Sequence, residues 1–410
     1  MSLPYKVLMI APTSFFSDYG GHVRILAEAT HLQNLGHRVT ICTYHNGDDP
    51  PGLDIRRGWG PPWIQRPIVG SSRHKIYLDI MLALRTLGVV LRERPDVIHA
   101  HMHEGALIGS LLGRPLGIPV LFDFQGSLTA EMIDHRFLDP NGFWYRPLRW
   151  LERQIIRWPQ AVVTSSYNAA RVLREEFHFP PERLFTVPDA VNTDTFRPFD
   201  DVPEWRERRA RLRATLGVPP DSPVVVYLGL LAPYQGTDIL LEAARLVLQE
   251  MPEALFLIMG FPGVERYAAQ ARALGILERT SFPGRISYLE APRCLALGDV
   301  AVAPKMSATE GCGKILDYMA MALPVVAFDT PVSREILGDL GIYAEYGNAA
   351  SLAQCLLQAL RDREGSRALG RLLRERAKAH FSWSNEIHQL VELYGRIGAR
   401  ESLERTEPKG

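Results

Sequence analysis

Lys6-Val-Leu-Met-Ile10, a turn-rich segment closing on Gly20-Gly21, an amphipathic stretch from His22 to Leu35, and Arg38-Val-Thr-Ile-Cys-Thr-Tyr44 together decide the fold. The first and last pieces read as buried strands. The stretch between them reads as a helix, with Gly36 at the position just past its end. Strand, glycine turn, helix and strand make half of a doubly wound parallel sheet. Val97-Ile-His-Ala100 and Pro119-Val-Leu-Phe-Asp123 extend it, each after a helix-like stretch, and Ala161-Val-Val-Thr164 adds another strand.

The pattern breaks near Pro188, where a polar, turn-prone run to Pro198 leads into a charged stretch from Glu204 to Arg213. A domain boundary belongs there. The design then repeats. Val224-Val-Val-Tyr-Leu228 is a strand ending at Gly229, and Thr237 reads as the cap of a helix with Leu240, Ala243, Ala244, Val247 and Leu248 on one face. Leu255 to Met259, which ends at Gly260, Val300 to Ala303 and Val325 to Phe328 are further strands. The expected fold class is therefore α/β: two Rossmann-like doubly wound domains, 1–192 and 193–381, facing a cleft. A final helix and polar tail, 382–410, follow. Open parallel sheets bind ligands beyond the carboxyl ends of their strands, so the cleft is the expected site.

The 410 residues carry 46 basic and 46 acidic side chains, so no global field favours nucleic acid. Cys42, Cys294, Cys312 and Cys355 stand far apart with no CxxC pair, which argues against a zinc ribbon or a disulfide framework and for a reduced, cytoplasmic setting. The N-terminal apolar run is too short for a signal peptide or membrane span.

Three glycine-containing turns follow strands and precede helices: Gly20-Gly21, Gly229 to Gly236, and Glu310-Gly-Cys-Gly313. Each offers backbone N–H groups to an anion. Three of them across two domains point to a phosphate-bearing ligand. No GxxxxGK[ST] or GxGxxG opens either domain, which speaks against a P-loop enzyme and a dinucleotide-dependent dehydrogenase.

The most specific segment is Glu310-Gly-Cys-Gly-Lys-Ile-Leu-Asp-Tyr-Met-Ala-Met-Ala-Leu-Pro-Val-Val-Ala-Phe-Asp-Thr330. With Gly20-Gly21, Leu35 to Thr40, Pro95 to His101, Tyr227-Leu-Gly229, Gly236 to Ala244 and Gly298 to Pro304, it resembles the retaining glycosyltransferases of family 4, with the GT-B fold. The match runs over nearly the whole chain. The resemblance implies transfer of a hexose-type sugar from a nucleoside-diphosphate-sugar, with retention and without a metal or other cofactor. The first domain would hold a sugar, lipid-linked or small-molecule acceptor, and the second the donor. The last helix would cross back onto the first domain. It implies that Asp317 accepts from the ribose hydroxyls and Glu310 contacts the donor sugar. Gly311, Cys312 and Gly313 would bring amides to the diphosphate, with Gly20 and Gly21 closing from the first domain. Gly229 and Gly260 would line the donor site, and the backbone of Arg285 and Ile286 would read the base.

The sequence departs from that pattern at Leu230, Gln235 and Gln125, where the family has Arg, Lys and His. The two phosphate-pairing cations are thus absent from their usual places. Two of the six lysines, Lys305 and Lys314, fall within ten positions of each other at the proposed donor site. Lys314, at a helix start, is the candidate to stabilise charge on the leaving diphosphate. Two other readings stay open at this point: a non-catalytic nucleotide-sugar-binding relative, and a nucleotide-sugar epimerase.

His99, His101 and His103 alternate, so they share a side if the strand continues. No second ligand cluster follows, so zinc is not indicated; one of them, His101, is assigned with Gln125 to the acceptor side of the cleft. Cys312 reads as a space-filler, since no His or Asp arrangement accompanies it. From Phe143 to Trp158, Trp144, Leu148, Leu151, Ile155 and Trp158 share one helical face, and Arg146, Arg149, Arg153 and Arg157 the opposite one. A core-facing helix with a solvated basic face is expected; the arginines also suit anionic lipid headgroups at the inner face of a cell membrane.

Overall fold

The computed structural model describes residues 4–18, 20–61, 75–198, 222–307 and 310–406, with 207, 209–211, 213–214 and 219 between the third and fourth spans. The first sheet has seven strands: β1 (Lys6–Ala11), β2 (Arg38–Thr43), β3 (Asp54–Arg57), β4 (Val97–His101), β5 (Val120–Phe124), β6 (Ala161–Thr164) and β7 (Leu184–Thr186). The second has six: β8 (Val224–Leu228), β9 (Leu255–Met259), β10 (Thr280–Gly284), β11 (Val300–Ala303), β12 (Val325–Phe328) and β13 (Ile342–Ala344). Their orders are β3-β2-β1-β4-β5-β6-β7 and β10-β9-β8-β11-β12-β13, and every pairing is parallel. Both are the doubly wound sheets that the strand–glycine–helix pattern foretells. In each the order reverses once, between β1 and β4 and between β8 and β11. Beyond those strand ends lies the crevice where such sheets hold ligands.

The central strands are apolar because helices cover both faces. In the first domain α1 (Gly20–Asn34) covers one face. The other carries α2 (Lys75–Glu93), α3 (Met102–Leu116), α5 (Tyr145–Arg157) and α6 (Tyr167–Glu175), while α4 (Leu128–Asp134) lies beyond the end of β5. In the second domain α7 (Thr237–Glu250), α8 (Val264–Ala273) and α12 (Ala349–Arg361) line one face. The other has α9 (Ala291–Leu295), α10 (Lys314–Ala320), α11 (Pro331–Leu337) and α13 (Arg363–His380). The last helix, α14 (Trp383–Thr406), packs Ile387, Leu390, Tyr394 and Ile397 against the α1 side of the first domain.

Three local expectations change. Helix α1 starts at Gly20, so the two glycines are its first turn and not the turn before it. Gly236, at φ 75°, takes the cap position of α7 in place of Thr237. A Cβ at Gly236 would lie 1.9 Å from the Pro304 carbonyl, so close strand–loop packing demands glycine there. In α5, Ile155 faces the core as expected, but Trp144 is 66% exposed. Arg149 turns inward instead, reaching Ser127, Thr129 and Glu152 and stacking on Phe177. The buried Glu152 has four donor groups, from Ser127, Leu128 and Thr129, at the head of α4 and needs a cation; that outweighs the apolar stripe.

Candidate active site

Lys314 opens α10, which begins just past the loop after β11. Its ammonium lies across the end of β8, donating to the Tyr227 hydroxyl at 3.0 Å and the Gln235 Oε1 at 2.8 Å. It also sits 4.4 Å from the centre of the Tyr227 ring. Among the described residues no carboxylate pairs with it. Burial, chiefly, lowers its pKa to about 8. Gln235 stands where the resembled family has its lysine, so Lys314 brings positive charge to that place from the neighbouring strand. The glycine at 229 makes this possible, because a Cβ there would lie 2.8 Å from the Lys314 Nζ.

Asp317, one turn later, is partly buried, and its carboxyl has no hydrogen-bond partner among the described residues. Burial, then Asp189, pushes it up to about 8. The α10 spacing does not pair it with Lys314, whose side chain turns toward β8. Lys305 instead pairs with Glu310, Nζ to Oε2 at 2.8 Å, and donates to the Gly311 carbonyl at 2.5 Å. Burial raises the Glu310 pKa, but Lys305 outweighs it and the carboxyl is held below its ordinary value. Around Gly20 and Gly313 an added Cβ would meet nothing within 4 Å, so both face open space. Gly260 differs: its missing side chain admits the Gly229 carbonyl, 1.8 Å from an ideal Cβ. Gly260 is thus accounted for by backbone packing beneath the site, and Gly229 by the room it leaves for the Lys314 side chain. Cys312 is buried in the second-domain core beside Ile315, and Ile286 packs partly against that core.

The first domain brings α4. His135, just past it, packs against Tyr234 with the rings tilted by 55° and their centres 4.5 Å apart. Glu131 is raised to about 7, by burial first and then by Glu310 across the cleft. Burial also raises Asp134, though a bond to Ser307 opposes it. These residues follow no turn, glycine or charge signal; only the packing of α4 against the 233–235 turn places them here. Gln125 donates to Asp123 at 2.8 Å, and its Oε1 would lie 2.9 Å from a Cβ at Gly21.

His101 does not line the cleft. It is fully buried beneath it, donating from Nδ1 to Asp123 at 3.0 Å. The reason is a charge network that sequence spacing does not reveal. Arg24, one turn into α1, reaches Glu28 at 3.1 Å, Asp123 at 3.2 Å and Asp189 at 2.9 Å. His99 joins through Tyr394 at 2.9 Å. Burial raises Glu28 to about 8, whereas Arg24 and His101 overcome burial to hold Asp123 well below its ordinary value. Glu28, His99, His101 and Asp123 converge closely enough to hold a metal. The second pair of ligands missing from the local sequence therefore comes from α1 and β5. The Arg24 guanidinium already stands among them as the cation, so the cluster reads as a charge-balanced support for the strand ends.

Across the cleft, Arg285 reaches Asp18 at 2.6 Å and Asp48 at 2.8 Å, and Asp18 accepts from the Tyr288 N–H at 2.8 Å. The Arg285 side chain thus joins the two domains.

Comparison with known proteins agrees with this geometry. A family model described as glycosyl transferase 4-like domain matches residues 19–190, and one described as glycosyl transferases group 1 matches residues 222–362. The chain is 27% identical to a D-inositol 3-phosphate glycosyltransferase of Thermobispora bispora, over 96% of this chain and 93% of that protein. It is 26% identical to the Mycobacterium tuberculosis protein of the same name, over 96% of this chain and 82% of the other. Among solved structures, sucrose-phosphate synthase from Thermosynechococcus elongatus superposes with TM-score 0.81 at 18% identity, covering 97% of this chain and 100% of that one. HepE of Anabaena, in complex with UDP and glucose, superposes with TM-score 0.76 at 16% identity, covering 96% and 100%. With two doubly wound domains, a cleft at both switch points and both family models matched in order, the chain belongs to the group 1 glycosyltransferases of GT-B fold.

Proposed function

We propose that the protein moves a hexose from a nucleoside-diphosphate-hexose, with retention, to a hydroxyl of a sugar or polyol acceptor. The observation that carries the donor reading is the Lys314 ammonium, held at the end of β8 by neutral partners with no carboxylate among the described residues. A partly buried cation without a counter-ion is costly, and a diphosphate supplies the missing charge. As the glycosidic bond breaks, charge grows on the leaving phosphate, so Lys314 acts most strongly in the transition state. Lys314 supplies charge that a divalent metal would otherwise bring, and the family resemblance supports retention. Asp317, without a protein partner, offers its carboxyl to the ribose hydroxyls. Glu310, kept ionised by Lys305, faces the transferred sugar. Glu131 and Asp134 lie on the acceptor side, where hydrogen bonding to hydroxyls suits them.

A thermal-shift panel of nucleoside-diphosphate-sugars, led by UDP-glucose because HepE binds it, tests the reading. One donor raises the Tm, and transfer to added sugars or polyols follows by product analysis. Asp317→Ala weakens binding of the free nucleoside diphosphate by about 1–3 kcal/mol, as two ordinary hydrogen bonds from the ribose hydroxyls are worth. A panel without any shift, or unchanged affinity in the Ala variant, removes the proposed donor site. Binding without transfer points to the non-catalytic relative, and an altered sugar without acceptor to an epimerase.

A further inference from the structure

Helix α2 turns Leu78, Leu82, Val89 and Val90 toward the first-domain core. Its other face is also apolar: Ile76, Tyr77, Ile80, Leu84, Leu87 and Leu91 are exposed, from 36% for Leu87 to 71% for Ile76. The steps 76, 80, 84, 87 and 91 keep one helical face, about 22 Å long at 1.5 Å per residue. Burial on one side explains an amphipathic helix; it does not explain an apolar outer side.

The stripe has neighbours of the same kind. Helix α3 lies between α2 and α5 on the same side of the sheet, and it exposes Leu111 and Leu116. Around α5, Phe143 (82%), Trp144 (66%) and Trp150 (61%) stand out from the surface. Three adjacent helices therefore present aliphatic and aromatic side chains outward, far more than scattered surface residues need.

The exposed charges on the three helices that no ion pair among the described residues engages have one sign. Arg92, Arg114, Arg146 and Arg157 are exposed. Every acid on the three helices is engaged. Asp79 accepts from the Tyr44 hydroxyl at 2.6 Å, Glu93 pairs with Arg38 and Arg56, and Glu104 pairs with Lys75 at 2.7 Å. Glu152 is fully buried under Arg149. Aliphatic stripe, tryptophans and arginines without an acidic partner among the described residues form the combination that beds side chains into the headgroup region and meets its phosphates.

A second copy fits less well. A two-fold contact would set the same arginines against each other without free acids on the three helices to answer them. No helix among the described residues is long and apolar enough to cross a membrane, so contact through this layer lies in the interface plane.

We propose that the outer face of α2, α3 and α5 docks the protein on an anionic lipid bilayer. The apolar side chains enter the boundary between headgroups and acyl chains, and the arginines hold the phosphates. This differs from attraction by an all-basic face of α5, because the tryptophans and arginines share the outer surface.

Sedimentation with vesicles tests it, comparing pure phosphatidylcholine with phosphatidylcholine mixed with phosphatidylglycerol. The protein partitions to the mixed vesicles and far less to the neutral ones. Ile80→Glu with Leu84→Glu abolishes the binding. Arg146→Ser and Arg157→Ser each lower it about fivefold at low salt. All variants keep the wild-type circular dichroism and melting transition, which separates lost docking from lost folding. No sedimentation with anionic vesicles, or equal partition to neutral ones, overturns the proposal. A concentration-dependent dimer that Ile80→Glu with Leu84→Glu dissolves would give this face to a second copy and overturn it as well.

Discussion

If the protein binds a nucleoside diphosphate as proposed, Lys314 makes good a loss elsewhere in the chain. A nucleotide diphosphate needs cations, and the expected lysine place holds Gln235. The ammonium of Lys314 arrives within 2.8 Å of that glutamine from the loop after β11. If the charge is what matters, its covalent origin should not. Lys314→Met lowers turnover by roughly two orders of magnitude, with a smaller change in KM, as removing a transition-state donor does. Adding Gln235→Lys to the Met variant restores much of the loss, whereas Gln235→Lys alone crowds two ammoniums together and brings no gain. The pH profile has a sign of its own. Burial lowers the Lys314 pKa to about 8, so the free enzyme loses the charge as pH rises through that value. kcat/KM accordingly falls on the alkaline side, and that limb is missing in Lys314→Met. A merely structural lysine would show neither the rescue nor the lost limb. Steady-state kinetics of the three variants decides it.

Helix α1 works at the next scale, since its first turn faces the cleft and its second carries the charges beneath. Arg24 and Glu28 lie on one side of the helix, four residues apart, and turn toward β4 and β5. Replacing Arg24 by Met leaves Asp123 buried without its cation. Breaking a buried pair from one side costs about 3–5 kcal/mol, which a fall in Tm and in the denaturant midpoint would register. Glu28→Gln costs less, because burial already raises that carboxyl to about 8 and it is largely protonated at neutral pH. This element also marks the limit of what a sequence tells. The central strands of both sheets, the loop holding Gly311 and the helices that carry Gly20 and Asp317 were legible, because strand runs and glycine punctuation are local patterns. The burial of His101 was not legible: it depends on Arg24, 77 positions away in sequence and on another element (101 − 24). The outward turn of Trp144 escaped for a similar reason. Apolar spacing alone cannot show that Glu152 would claim Arg149 and leave the tryptophan to solvent. The α4 side of the cleft, with Glu131 and His135, rests wholly on how the two domains meet.

At the scale of the whole molecule, polar contacts hold the two domains together across the cleft. Arg285 reaches Asp18 and Asp48 of the first domain, and Glu335 accepts from the backbone N–H groups of Tyr167 and Asn168 at 2.8 and 2.9 Å. Such contacts can be exchanged for water at little cost, which suits domains that must part to admit a substrate and close to exclude water. The loop holding Asp18 leads directly into Gly20, so the Arg285 clasp sets how closely the first turn of α1 approaches the donor. Arg285 is 35% exposed although Asp18 is only 9% exposed, and an ion pair still touched by water is worth about 1 kcal/mol. Arg285→Ala should therefore leave the Tm nearly unchanged and still reduce the closed population. That translates into a fall in kcat/KM of up to about fivefold. Asp18→Ala should do at least as much, since it also strips the Tyr288 N–H of its acceptor, and the double variant should lose less than the sum of the two single ones, because they share the Arg285–Asp18 contact. Asp48→Ala, whose carboxylate is 69% exposed, should do less. Small-angle scattering of Arg285→Ala should show a larger radius of gyration than the wild type, and saturating donor should close the gap. Equal radii together with unchanged kinetics would mean that Arg285 takes no part in closure, and that the two domains keep their spacing through the Glu335 contact and the packing of α14.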